Sequence, residues 1–161
     1  MNYTKKITII AVLIALSVPL SLVKLPLGVA TASFDAVPGY LAAVLFVPFI
    51  GGIIGFIGHL ATAYSSGFPF GILIHFIIAT SMFGSCYMFG FLYKKSKMIG
   101  FIVGVLLNTF LAAPFLLLLL PTEAVIATFI PIAIASTLNI LVGILVYERI
   151  KNIFSDSYEE Y

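Results

Sequence analysis

Residues 38–64 read "PGYLAAVLFVPFIGGIIGFIGHLATAY", and the architecture turns on whether this stretch is one helix or two. Pro48 and Gly51-Gly52 fall at its centre. In a helix interior Pro costs about 3 kcal/mol and Gly about 1 kcal/mol relative to Ala. The stretch is therefore expected to form two short helices joined by a tight turn. Its flanks are as apolar as its middle, so the same question extends to the whole chain.

Of 161 residues, 62% are hydrophobic and 9% charged, against about 25% charged in a soluble domain. Apolar segments run over roughly 7–23, 36–47, 49–64, 70–92, 98–120 and 122–147. About 20 apolar residues cross a bilayer as a helix, which predicts an all-α integral membrane protein, a six-helix transmembrane bundle forming a single domain over 1–161. Pro19 kinks the end of the first segment, and Lys24-Leu25-Pro26-Leu27-Gly28 breaks it. Lys94-Lys95-Ser96-Lys97 separates the fourth segment from the fifth, and Pro121-Thr122-Glu123 the fifth from the sixth.

Charge sets the orientation. Six crossings place Lys5, Lys6, Lys94, Lys95, Lys97, Arg149 and Lys151 on one face and leave Lys24 opposite. Short loops rich in Lys and Arg stay cytoplasmic, so both termini are expected inside the plasma membrane. One crossing over 38–64 would move the Lys94–Lys97 loop to the other face and spoil that asymmetry. The start also has the outline of a signal peptide, with Lys5-Lys6, an apolar core and Ala30-Thr31-Ala32 as a cleavage box. Its apolar run is longer than most such regions, so retention is expected. The tail "SDSYEEY" (155–161) is polar and acidic and is expected to fray. A net charge of +2, with basic residues at membrane boundaries, points away from nucleic acid. The single cysteine, Cys86, excludes an internal disulfide.

On this topology His59 lies in the outer half of the third helix, and His75 about one and a half turns below the outer end of the fourth. Asp35 opens the second helix on the same side, and Asn108 and Asn139 fall near the middle of the fifth and sixth. An ionisable side chain in the bilayer costs about 2.5–3.5 kcal/mol on insertion scales and usually faces a cavity or a partner. The grouping predicts a pocket that opens outward. Each residue also has a structural reading. An intramembrane Asn bonds a neighbouring helix for about 0.6 kcal/mol, a His bonds a loop carbonyl, and Asp35 caps a helix. Phe34, Tyr40, Phe68 and Tyr87 serve as interfacial anchors or as packing.

The two histidines are sixteen residues apart with no cysteine between them, which argues against a metal site. Neither H-E-x-x-H nor G-x-S-x-G occurs, nor an acid pair placed for hydrolysis. No enzyme activity and no cofactor are expected. There is also no phosphate-binding loop, so a concentrative importer built on this chain must take its energy from a partner. Ala11 and Ala15 lie four apart on one helical face and let a second helix approach closely.

Together, Ala11-x-x-x-Ala15, Phe34-Asp35-x-x-Pro38-Gly39-Tyr40, the Pro48/Gly51/Gly52/Gly55 hairpin and Gly58-His59-Leu60 resemble the substrate-binding S component of energy-coupling factor (ECF) vitamin transporters. The resemblance covers essentially the whole chain. It implies a bacterial membrane subunit that binds a small-molecule vitamin from outside, docks through Ala11 and Ala15 on a transmembrane T subunit carrying two ABC-type ATPases, and topples in the membrane to release cargo. Residues 24–34 would be a lid loop. Within the family, "FDAVPGYLAA" (34–43) and "GHLATAYSSGFPFG" (58–71) followed by His75 look most like the alpha-ribazole branch, whose cargo is the nucleoside of cobalamin's lower ligand. Phe34, Phe68 and Tyr87 would supply faces for its ring. Asp35, His59, His75, Asn108 and Asn139 would bond its polar groups, with Ser65 and Ser66 at the rim. Cargo of the pantothenate or pyridoxine type is the alternative. Two rivals come from other classes. A self-sufficient channel needs polar residues continuing through the inner half, where Thr8, Ser17 and Ser85 are scattered; a scaffold would use its polar groups only to join helices.

Overall fold

A proline pushes the residue before it out of the helical region, and Val47 is extended at φ −131° and ψ 152°. In the computed structural model, which describes residues 3–27 and 30–155, helix α2 (Val37–Leu45) stops just short of that residue. Helix α3 (Pro48–Ser65) starts with the proline itself. Before them come α1 (Tyr3–Leu22) and an antiparallel hairpin, β1 (Lys24–Leu27) and β2 (Ala30–Ser33). After them follow α4 (Ile72–Tyr93), α5 (Lys97–Phe110), the single turn α6 (Ala113–Leu116) and α7 (Thr122–Ser155).

Every residue of α2 is buried. It is the central rod, and α1, α3, α4 and α7 pack around it. The approach of α3 depends on Gly51, where a Cβ would stand 2.5 Å from the Ala43 Cα and 2.6 Å from its nitrogen. Between α2, α4 and α7 the core is Tyr40, Cys86, Phe89 and Ile140; between α1, α2 and α3 it is Leu13, Leu41, Leu45 and Ile54. Tyr40 is wholly buried with its ring edge-on to Phe89. Its hydroxyl meets Ser85 Oγ at 2.8 Å, and Ser85 in turn donates to the Gly104 carbonyl at 2.7 Å. This chain links α2, α4 and α5 without an unpaired polar group.

Among the described residues, five helical segments are long and apolar enough to cross a membrane: 3–22, 48–65, 72–93, 97–116 and 122–153. The second segment is different. At nine residues, α2 rises about 14 Å, roughly half of a ~30 Å hydrocarbon core. The six-helix bundle stands, but its second member is a partial-depth helix rather than a full crossing.

Three boundaries differ from the sequence expectation. The lid segment 24–34 is a paired hairpin, Lys24 opposite Ser33 and Leu27 opposite Ala30, and Ala30-Thr31-Ala32 is strand rather than an open cleavage box. The helix expected over 98–120 ends at Phe110, because Pro114 has no N–H to give the Phe110 carbonyl; α6 then restarts with that proline in its first turn. The last helix runs on from 147 to Ser155. Glu148 supports the extension, accepting from Lys151 one turn on and from Lys97 of α5 at 2.7 Å. The tail beyond Ser155 lies outside the described residues.

Gly51→Ala is expected to lower the thermal midpoint of the detergent-solubilised protein by several degrees. Adding Ala43→Gly should restore only part of it, because backbone atoms of residue 43 also crowd the new methyl. Full restoration would show that the helices touch through side chains alone.

Candidate functional site

The site starts where α3 presses on α1. A Cβ at Gly58 would lie 2.5 Å from Ser17 Oγ and 3.7 Å from the Asp35 carbonyl, so only glycine brings the next residue, His59, against the link between β2 and α2. Asp35 in that link is 7% exposed. A buried carboxylate must be compensated by donors; one hydrogen-bonds Asp35 and a second stands at ion-pair distance. Ser33 donates its hydroxyl to Oδ1 at 2.7 Å, and His59 Nδ1 lies 3.6 Å from Oδ2. The other nitrogen of His59, Nε2, meets His75 Nδ1 at 3.3 Å. Ser33, Asp35, His59 and His75 thus form one continuous polar relay from β2 through α3 to α4.

His75 is 7% exposed, and its Nε2 is buried with no hydrogen-bond partner. One turn along α3 from His59, the Thr62 hydroxyl is also buried and unpaired. Two orphaned polar atoms in one region are unusual, since most buried polar groups find partners. Aromatic rings cover the end of the relay: Phe68 lies 5.7 Å and Phe70 6.1 Å from the His75 ring, centroid to centroid. Phe68 adopts φ +49°, a left-handed conformation in which a non-glycine residue stores about 1–3 kcal/mol of strain.

The relay is linear rather than convergent. His59 turns each ring nitrogen toward a different neighbour, so the three ionisable groups do not point at one centre. Among the described residues, no group of three His, Cys, Asp or Glu is placed to hold a metal ion.

The other sequence candidates are placed as follows. Asn139 of α7 uses its amide on backbone: its oxygen accepts from Ala36 N–H at 3.1 Å, and its nitrogen donates to the carbonyls of Ser33 at 2.7 Å and Ala135 at 2.8 Å. It latches the hairpin and the start of α2 to α7. The N-cap of α2 is Ala36 rather than Asp35. Asn108 of α5 donates to Ser136 Oγ of α7 at 2.6 Å, away from the relay. Tyr87 belongs to a ladder on α4, stacked between Phe83 and Phe91. Twelve residues along that helix from His75, it is about 18 Å from the relay. Ser65 bonds the Thr62 carbonyl, and both Ser65 and Ser66 are exposed in the loop before Phe68. The Phe34 N–H bonds the Leu20 carbonyl, fixing the hairpin exit to the end of α1. Ala11 and Ala15 are exposed, while Leu13, Ser17 and Ser21 form the buried side of α1.

Ser33, Thr62 and Phe70 were not singled out from sequence as members of the cluster. Ser33 precedes Asp35 by two residues, the spacing of a local side-chain bond. Phe70 belongs to the same Phe-Pro-Phe run as Phe68. Two cavities lie away from the relay. One of about 300 Å³ is lined by Phe76, Ile77, Thr80, Ser81, Leu111 and Phe115. The other, about 440 Å³, lies at the lysine-rich end beside Phe46, Lys94 and Lys151.

Bilayer-length apolar helices that gather a carboxylate and two imidazoles under a hairpin and an aromatic loop define a multi-pass membrane protein with a built polar site. The family of ECF transporter substrate-specific components matches residues 5–156, and the chain belongs to that family. A solved structure of the S component of a bacterial ECF transporter is similar to it, with TM-score 0.75 and 25% identity over 95% of this chain and 99% of that one. No curated protein sequence matches it significantly. The chain is thus a substrate-binding membrane subunit of an ECF transporter, and membership implies a small-molecule substrate and association with T and ATPase subunits.

Asn139→Ala would leave the Ala36 N–H unpaired, and is expected to cost about 1–3 kcal/mol of stability. Asn108→Ala, at a half-buried position with one bond, should cost less. Thermal unfolding in detergent checks the order; an unchanged midpoint for Asn139→Ala would remove the latch.

Proposed function

We propose that this subunit captures a vitamin precursor from outside at the relay and that its best-fitting cargo is alpha-ribazole, the nucleoside of cobalamin's lower ligand. The observation that carries the reading is the buried, unpaired His75 Nε2 on a ring flanked by two aromatic rings, with the unpaired Thr62 Oγ1 one turn along α3 from His59. A benzimidazole riboside offers a flat apolar ring and several hydroxyls, which is the complement of that surface. Phe34, Phe68 and His75 meet the cargo in this reading, with Asp35 and His59 behind His75 and with Ser65 and Ser66 in the loop that admits it. Tyr87, Asn108 and Asn139 act through packing and helix joining. An anionic cargo such as pantothenate fits less well, because Asp35 is itself an anion and, among the described residues, Lys24 is the one lysine or arginine that this topology places on the outer side.

The lysine-rich end faces the cytoplasm in this reading. That end carries Lys5, Lys6, Lys94, Lys95, Lys97, Arg149 and Lys151, as expected for short cytoplasmic loops. The exposed Ala11 and Ala15 receive the T subunit, whose two ATPases supply the energy.

Mass spectrometry of the small molecule that co-purifies should find alpha-ribazole or a close analogue. His59→Ala should weaken its binding by about 1–3 kcal/mol, roughly 5- to 150-fold; unchanged affinity would move the site elsewhere. Separately, Ala11→Leu with Ala15→Leu should abolish uptake by the complete complex while leaving binding intact. Loss of binding as well would place those alanines inside the subunit's own packing.

A further inference from the structure

The relay fixes which kind of atom the site presents. A carboxylate only accepts hydrogen bonds, and Asp35 Oδ1 already accepts from Ser33. His59 Nδ1 faces Oδ2 at 3.6 Å, so a bare Nδ1 would set a lone pair against a negative oxygen. The ring proton of neutral His59 therefore sits on Nδ1, and His59 Nε2 is bare. His75 Nδ1 approaches that bare nitrogen at 3.3 Å and must carry a proton to bond it. A neutral imidazole has one N–H, so His75 Nε2 is left as a lone pair. That is the atom that is buried without a partner.

We propose that His75 Nε2 is the acceptor that reads the cargo, and that the cargo presents to it an un-ionised O–H or N–H donor rather than a carboxylate or phosphate oxygen. This rests on the reading of the relay as the cargo site, and it names the chemistry that site selects. An anionic oxygen there would meet a lone pair, with the Asp35 charge two rings behind it. An ether oxygen would leave Nε2 unsatisfied. A hydroxyl or amino group on or near a flat ring satisfies Nε2 and takes the place of the Phe68 and Phe70 rings that cover it. Asp35 and His59 are positioning residues in this scheme, since they set the proton on His75.

Nitrogen-15 NMR of the full chain in micelles, ring-labelled at histidine, tests the relay directly. His59→Gln and His75→Gln assign the signals. The expected result is a protonated Nδ1 on both rings and an unprotonated, pyridine-type Nε2 on His75. A proton on His75 Nε2, or two protons on His59, overturns the proposal. Asp35→Asn removes the charge that orders the chain, and the His75 Nε2 signal should shift toward the protonated range; an unmoved signal would mean Asp35 is merely structural.

Three fragment probes then test the selection. Benzyl alcohol should shift the His75 Nε2 resonance upfield, whereas benzyl methyl ether and benzoate should leave it in place. No shift with the alcohol, or an equal shift with either other probe, overturns the proposal. The importer reading fails by a different measurement, namely a purified chain that retains no small molecule and whose uptake complex is unaffected by His59→Ala.

Discussion

A carboxylate held inside an apolar bundle must be met by donors, and Asp35 imposes that constraint on everything near it. Ser33 and His59 satisfy it; their positions require the hairpin to return beside α2 and α3 to approach α1 at Gly58. His75 is then drawn in as the partner of the outer nitrogen of His59. The desolvation cost of such a charge is several kcal/mol when uncompensated. The local backbone, the latch from Asn139 and the close helix contacts are arranged around keeping these partners in reach. The polar site and the packing of the hairpin half are therefore one structure rather than a scaffold with a pocket added.

Much of the fold was legible because proline and lysine carry unambiguous physics. Pro48 divides α2 from α3 by removing a donor and excluding the residue before it from helix, and the lysine loops mark one end of the bundle. That Asp35, His59 and His75 would lie near one another was legible from the expense of placing such groups in hydrocarbon. Side-chain direction was not. Asn139 and Asn108 have the composition of ligand contacts, yet one bonds backbone and the other a serine on the next helix. Tyr87 occupies a face of α4 that hydropathy does not distinguish, since all faces of that helix are apolar. The hairpin was hidden because a four-residue strand with Pro26 in it has neither alternation nor length. Pro114 did signal the end of α5, but a run of leucines after it imitates a continuing helix.

The helix with the uncovered alanines, α1, has an unusual distribution of burial. Its seam of Leu13, Ser17 and Ser21 faces α2 and α3, and much of the rest is open. In a monomeric bundle this would be surface given to lipid. In a family whose members work with a T subunit, it is surface that a second polypeptide can cover without displacing any internal contact. Ala11 and Ala15 lie on that open side of α1, off the seam of Leu13, Ser17 and Ser21 that packs inside the subunit.

One dimension of α7 has a mechanical consequence. Its 34 residues extend about 51 Å, whereas the hydrocarbon slab is about 30 Å thick. To hide that length by leaning, the helix would need to tilt about 54°, beyond the 0–40° found for membrane helices. It must stand proud of the slab, and its final turns, with Glu148, Arg149 and Lys151, are the hydrophilic portion. The clamp of Glu148 on Lys97 and Lys151 then braces a projecting stalk at the water boundary. Any rocking of the subunit would carry that braced stalk with it through the water boundary.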